Sequence, residues 1–252
     1  MHKLTIKSPS EIELMKIAGK RLAWVRDQTA KQIKAGITSL EIDRIATKLI
    51  AEVGAEPSFS MVRGYHHATC ININDEVVHS IPTNRKIKKG DVVSLDVGLC
   101  FNGWHSDTSI TVSVGPANSN ITHFLKIGQK AVKTAIDVCI IGNRVWDLSH
   151  AMQKTVEDAG YGVVTALTGH GIGRHLHEEP AVPCFEAQNS KHSPRLCEGM
   201  VLAIEIMYAQ GSGEVVYKND DGWTICTRNG KIAGLFEETV AITKDGPLIL
   251  TR

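Results

Sequence analysis

The sequence predicts an α+β protein of two related halves, each a helix pair joined to antiparallel strands. Three observations predict it. Asp91–Val114, DVVSLDVGLCFNGWHSDTSITVSV, is two alternating runs joined by Asn102-Gly103, the strongest short-range signal for a two-residue hairpin turn. A pair of helices punctuated by glycines occurs twice: Gly36 to Gly54 and Gly142 to Gly160 are equal spans, with Leu40/Trp146, Ile42/Leu148 and Ile50/Val156 in matching places. Met200–Tyr208, MVLAIEIMY, is apolar on both faces and therefore belongs inside a sheet. Each half then joins a helix pair to antiparallel strands, with a site between the halves.

The first half opens with Ser8-Pro9-Ser10-Glu11, a capping box with Pro at the first helical position, and its helix is expected to reach about Lys34 before Ala35-Gly36. Thr38-Ser39-Leu40-Glu41 is a second capping box, and the apolar stripe it starts ends at Gly54. A strand at Ile71–Ile73, a turn at Asn74-Asp75 and a strand in EVVHSIP follow, with His79 in or just after that strand. In the second half, helices are expected from about Asn120 to Ile141 and from Val145 to Gly160. Val163–Leu167 reads as a strand ahead of the glycine-rich Thr168–Gly173. Trp223–Thr227 and Lys231–Thr243 read as a closing hairpin with Asn229-Gly230 at its tip. No linker or low-complexity segment interrupts the 252 residues, so the expectation is a single domain over 1–252 with an N-terminal arm at 1–8.

Composition excludes several classes of function. A net charge of +1 gives no electrostatic reason to expect nucleic acid or an anionic membrane as partner. The one basic cluster, Arg85, Lys86, Lys88 and Lys89, reads as a solvated loop. No stretch resembles a signal peptide or a membrane span. The six cysteines are scattered without a CxxC, which favours free thiols in a reducing cytosol over disulfides or a zinc knuckle.

The chemistry-bearing residues begin in the hairpin. With Asn102-Gly103 as the loop, Val93 faces Val112, Leu95 faces Ile110 and Val97 faces Thr108 on one apolar face. The other face puts Asp107 opposite Gly98, which makes Asp96 its diagonal neighbour at ~7–8 Å. Carboxylates that close repel unless a positive group lies between them, although an edge strand also carries charge for solubility. Glu205 interrupts the buried MVLAIEIMY strand, where a carboxylate is costly unless it is paired or coordinates a metal, and no basic residue is adjacent in sequence. Strand alternation sends Glu237 and Glu238 to opposite faces, so one of them at most points at the site. His170 and His177 lie in GHGIGRHLHEEP, which lacks the ending of a phosphate-binding loop and the spacing of a single-zinc HExxH peptidase. Asp96, Asp107, His170, Glu205 and one of Glu237/Glu238 would make a set of four carboxylates and one imidazole. That set suits two divalent ions such as Mn, Fe, Co or Zn.

These residues, in this order, resemble methionine aminopeptidase type I over nearly the whole chain. DVVSLDVG with HSDTSITV is similar to the family's aspartate strands, TGHGIGRHLHEEP to its histidine signature, MVLAIEI to its glutamate strand, and NDDGWT with LFEET to its closing segment. The resemblance implies a pita-bread fold, two pseudo-symmetric halves with a curved antiparallel sheet covered by helices, and places Asp96, Asp107, His170, Glu205 and Glu237 at the five ligand positions of a two-metal centre. It implies catalytic roles for His79, His177 and Glu205, and substrate contacts for His79, His177, Tyr65, Cys70 and Trp223. The implied reaction releases N-terminal methionine from nascent polypeptides when the second residue is small. Glu205 would move the proton, His177 would donate to the oxyanion, and His79 would contact the scissile amide or the next residue. The type II insertion and the zinc-binding extension of eukaryotic relatives are expected to be absent. The implied protein is a cytoplasmic monomer, with ribosome association left open. The chain departs from the family's pattern at Val62, His66, Leu176, Leu235 and Glu238. Two other readings stand beside this one: a related metallo-aminopeptidase of altered N-terminal or X-Pro specificity, and a non-catalytic binding module.

Overall fold

Asn102 and Gly103 both adopt left-handed backbone, with φ of 54° and 76°, which is the geometry of the tight turn their sequence predicts. The computed structural model describes residues 2–187 and 189–252, so residue 1 of the expected arm lies outside the described residues. The strands on either side of this turn, β4 (Val92–Phe101) and β5 (Trp104–Ser113), pair in the expected register, with Leu95 opposite Ile110 and Gly98 opposite Asp107.

Ahead of this hairpin come α1 (Pro9–Ala30), α2 (Ser39–Glu52), β1 (Glu56–Pro57), β2 (Thr69–Ile73) and β3 (Glu76–Val78). After it come α3 (Ser119–Asp137), α4 (Val145–Glu157), β6 (Gly162–Val163), β7 (Thr168–Gly171) and β8 (Glu178–Pro183). The chain closes with β9 (Val201–Ala209), β10 (Val215–Tyr217), β11 (Ile225–Thr227), β12 (Ala233–Thr243) and β13 (Gly246–Ile249). The main sheet runs β1-β4-β5-β12-β9-β7-β8, with β2 added to β4, β13 to β12 and β6 to β9. A small sheet, β10-β11-β3, flanks it. The halves meet where β5 and β12 pair, and α1 covers β4 and β5 as α3 covers β9 and β12.

Both predicted capping boxes form, Ser8 with Glu11 and Thr38 with Glu41. Three helices end sooner than their patterns predict, α4 among them, at Glu157 rather than Gly160. α1 stops at Ala30 rather than Lys34, because the chain must turn for Ile33 and Ile37 to pack on the cluster of Ile71, Leu95 and Val93. α3 stops at Asp137 rather than Ile141, and the following turn buries Cys139 in the second-half core.

Two strand expectations are corrected. The strand expected at Val163–Leu167 is only Gly162–Val163, and the longer one falls on the glycine-rich Thr168–Gly171. There the glycines allow close backbone approach: a Cβ on Gly169 would stand 2.5 Å from the Ala203 carbonyl oxygen, and one on Gly171 2.3 Å from that of Glu179. The closing hairpin does not form. β11 pairs with β10 and β3, whereas β12 pairs with β5, β9 and β13. Of Asn229-Gly230 only Gly230 is left-handed, so the pair does not make the two-residue turn that would hold those strands together. No helix among the described residues is long and apolar enough to cross a membrane.

The C-terminal chain closes against α1 at Gly19, where a Cβ would stand 2.3 Å from the Leu250 carbonyl oxygen. A mid-helix Gly→Ala change ordinarily gains about 1 kcal/mol. Here the added carbon meets backbone, and overpacking costs about 1–3 kcal/mol. Gly19→Ala should therefore lower the unfolding midpoint in a denaturant titration; a raised midpoint would show that the tail yields freely.

Candidate metal centre

The sheet order puts one candidate ligand on each of five consecutive strands: Asp96 on β4, Asp107 on β5, Glu237 on β12, Glu205 on β9 and His170 on β7. Register brings them together. Ser109 is opposite both Asp96 and Glu237, and Glu237 is opposite Glu205. Residues directly opposite share a face, so these side chains form a row across the sheet. Asp107 lies two residues from Ser109, and His170 is opposite Ala203, two residues from Glu205, so period-two alternation adds both to that face. The opposite face is apolar and lies under the helices, with Val97 and Leu99 against Ala18, Leu22 and Val25.

Ligand atoms of Asp107, His170 and Glu237 lie within 4.8 Å of one another. Asp96 and Glu205 line the same cavity, about 440 Å³ in volume, as those three. Burial pushes the carboxyls of Asp96, Asp107 and Glu237 well above the usual range, and repulsion from the neighbouring acids adds to it. Burial raises Glu205 to about 7. His170 is driven the other way, to about 3, chiefly by burial. Its Nδ1 faces the Gly171 carbonyl oxygen at 2.9 Å; the carbonyl can only accept, so Nδ1 carries the proton and Nε2 keeps a free lone pair. Asp96 Oδ1 is buried without a hydrogen-bond partner.

This arrangement fits a divalent metal. An orphaned carboxylate oxygen, an unprotonated imidazole nitrogen and several mutually repelling acids are costly in a protein interior unless cations join them. The donor set of hard oxygens with one borderline nitrogen suits Mn, Fe, Co or Zn.

The ten residues expected to hold metal, act in catalysis or contact substrate all line this one cavity. His79 has left-handed backbone, φ 58°, at the end of β3, and burial lowers its imidazole to about 4. His177 stands edge-on to His170 with ring centroids 4.5 Å apart, and burial lowers its imidazole as well. Tyr65 donates its hydroxyl to the Thr69 carbonyl at 2.9 Å and stands edge-on to Trp223, with centroids 5.1 Å apart. Asp43, on α2, accepts from the Ala68 and Thr69 N–H groups at 2.9 and 3.0 Å and so fixes the strand that presents Cys70.

The departures from the family's pattern fall in different places. Val62 and Leu176 line the cavity, whereas His66 is exposed and outside it. Glu238 points to the helix side, accepting from Thr251 Oγ1 at 2.5 Å and Arg252 Nε at 2.9 Å, with Arg26 at 3.5 Å. Leu235 joins the second-half apolar core. Phe59, Val78, Ala166, Leu167, Thr168 and Met207 complete the wall and were not singled out in the sequence. Met207 could have been found there, since it follows Glu205 by two residues in one strand.

Fold and site together define a buried centre built to hold a divalent metal. The sequence pattern of metallopeptidase family M24 matches residues 13–244, and the chain belongs to that family. Within it, the chain is similar to the methionine aminopeptidase of Clostridium perfringens, 41% identical over 248 residues that cover 98% of each chain. It is also similar to the crystal structure of a methionine aminopeptidase from Thermotoga maritima, with TM-score 0.94, 38% identity and 99% of each chain covered. The prolidase of Pyrococcus furiosus shares the fold at TM-score 0.80 and 25% identity, the match covering 98% of this chain and 65% of that one.

The site sets a pH dependence. Acids whose folded-state pKa is raised stabilise the metal-free fold only while protonated, so their contribution is lost as pH rises through about 7 for Glu205 and higher for the others. The lowered imidazoles act in reverse: their contribution is complete above the ordinary value of 6.5 and is lost as pH falls toward about 4 for His79 and 3 for His170. Above about pH 6.5 the imidazoles no longer oppose the acids, and the buried Cys70 thiol, also raised, acts in the same direction as the acids. The Tm of metal-free protein should therefore fall between about pH 6.5 and 8, and Mn or Co should flatten that slope. A flat profile without metal would mean that the acids do not share one buried site.

Proposed function

We propose that this protein hydrolyses the first peptide bond of polypeptides that begin with methionine and carry a small second residue. The observation that carries this reading is that one cavity joins the five-strand row of acids and imidazole to an apolar wall containing Tyr65, Cys70 and Trp223. Asp96, Asp107, His170, Glu205 and Glu237 would hold two divalent ions. Such ions, when bound, polarise a carbonyl and lower the pKa of water toward neutrality.

The chain's own groups then have distinct tasks. Glu205 would take a proton from water and pass it to the leaving nitrogen. The neutral His177 ring donates to the carbonyl oxygen as negative charge grows there, which favours the transition state over the ground state. His79 holds the scissile amide or the residue after it. The free α-amine would be held near Asp96, and this restricts action to chain ends. The apolar wall receives the methionine side chain, whose thioether is favoured beside the rings of Tyr65 and Trp223. The six free thiols support a reducing compartment, the cytoplasm, as the place of action.

Four peptides test the reading on the metal-loaded protein. Met-Ala-Ser should release methionine, while Met-Trp-Ser, N-acetyl-Met-Ala-Ser and an Ala-Pro peptide should be left intact. Cleavage of the acetylated peptide would contradict the amine-anchoring role, and a preference for Ala-Pro would favour a prolidase-like specificity.

A further inference from the structure

The segment between β7 and β8 carries His177 but contributes no helix or strand of its own. Residues 2–7 hold it from outside. The His2 N–H donates to the His177 carbonyl at 3.0 Å, and the Glu179 N–H donates to the His2 carbonyl at 2.7 Å. The arm thus grips the chain on both sides of Glu178.

Glu178 is the node of this grip. Its side chain is fully buried, and its carboxylate accepts from Lys7 Nζ at 2.7 Å, Thr5 Oγ1 at 2.5 Å and the His175 N–H at 3.1 Å. The Lys7 side chain is 2% exposed, so both charges of the pair are out of water. Gly173 makes the space for them, since a Cβ there would stand 2.5 Å from Lys7 Cε and 2.8 Å from Glu178 Oε1. The Gly173 carbonyl in turn accepts from the His105 N–H at 2.8 Å, two residues before Asp107.

A buried ion pair is a poor device for stability alone, because apolar residues of the same volume commonly do as well or better. What it supplies is direction: a carboxylate with three donors has one comfortable position. We infer that Lys7, assisted by Thr5, is a positioning residue for His177, fixing through Glu178 where that imidazole stands against His170. The inference rests on the role given to His177 above. It assigns the arm a task in the reaction, although no arm side chain among Thr5–Lys7 lines the reaction cavity.

The test compares wild type, Lys7→Met, Thr5→Val, His177→Ala and Lys7→Met/His177→Ala. Two readouts are used: kcat and KM for Met-Ala-Ser, and the imidazole resonances of metal-free protein labelled at histidine. Misplacement of a reacting group by an ångström costs up to about 100-fold in rate, so Lys7→Met should lower kcat at least about tenfold with KM little changed. Thr5→Val, which leaves the ion pair in place, should lower it less. Lys7→Met should add nothing in the His177→Ala background, since residues acting through one another are not additive. The His177 resonance should shift or broaden in Lys7→Met and Thr5→Val while that of His79 stays in place. Equal loss of kcat in both backgrounds would overturn the inference. So would an unmoved His177 resonance in Thr5→Val, a variant mild enough to fold if Lys7→Met does not. Because the resonances need no turnover, they decide the positioning claim even if the wild type releases no methionine, a result that would instead overturn the proposed substrate.

Discussion

The constraint on which the rest of the structure depends is like-charge convergence inside a sheet. Four carboxylates from four strands share one buried row; burial opposes the ionisation of all four, and repulsion from neighbouring acids adds to it at Asp96, Asp107 and Glu237. Such a row persists only if the backbone that presents it is rigid and cations offset the charge. Rigidity comes from placing one group on each of five neighbouring strands, so that no ligand moves without its whole ladder. Helices on the other face supply the apolar burial that keeps those ladders in place.

The row is also anchored from behind. Thr108 Oγ1 donates to the Glu237 carbonyl at 2.9 Å, and Arg26, reaching from α1, donates to the same hydroxyl at 2.9 Å. Thr239 Oγ1 donates to the Asp107 carbonyl at 2.7 Å while accepting the Asp107 N–H at 3.0 Å. Glu238, one of the departures from the family's pattern, extends this scaffold to Thr251 and Arg252. Its departure therefore falls on the supporting side of the sheet, whereas Val62 and Leu176 change the wall that substrate would touch.

Much of this was legible in the sequence where a local rule had one outcome. Asn102-Gly103 set the register of β4 and β5, and strict alternation then placed Asp96 and Asp107 on one face. A lone glutamate in MVLAIEIMY marked Glu205, because burial leaves so few uses for a carboxylate. What stayed hidden depended on distant partners. Thr168–Gly171 looks like a loop until Ala203 and Glu179 are seen pressing on its glycines. Asn229-Gly230 looks like a hairpin tip, but β12 is claimed along its length by β9, and β11 is left to the small sheet. Phe59, Ala166 and Leu167 reach the cavity from segments with no periodicity to announce them. Nothing local in GHGIGRHLHEEP marks Glu178 as buried; its contact with Lys7, far away in sequence, does.

The central claim, that the row of acids and His170 is a metal centre serving an N-terminal peptidase, is tested most directly by metal add-back. Methionine release from Met-Ala-Ser would be followed with metal-stripped protein, restoring Mn, Fe, Co and Zn separately while metal binding is measured in the same samples. The account predicts no release without metal and recovery with at least one divalent ion bound at Asp96, Asp107, His170, Glu205 and Glu237. Failure to bind any of the four metals would contradict the site itself. Tight binding with no methionine released would leave the centre standing and contradict the substrate.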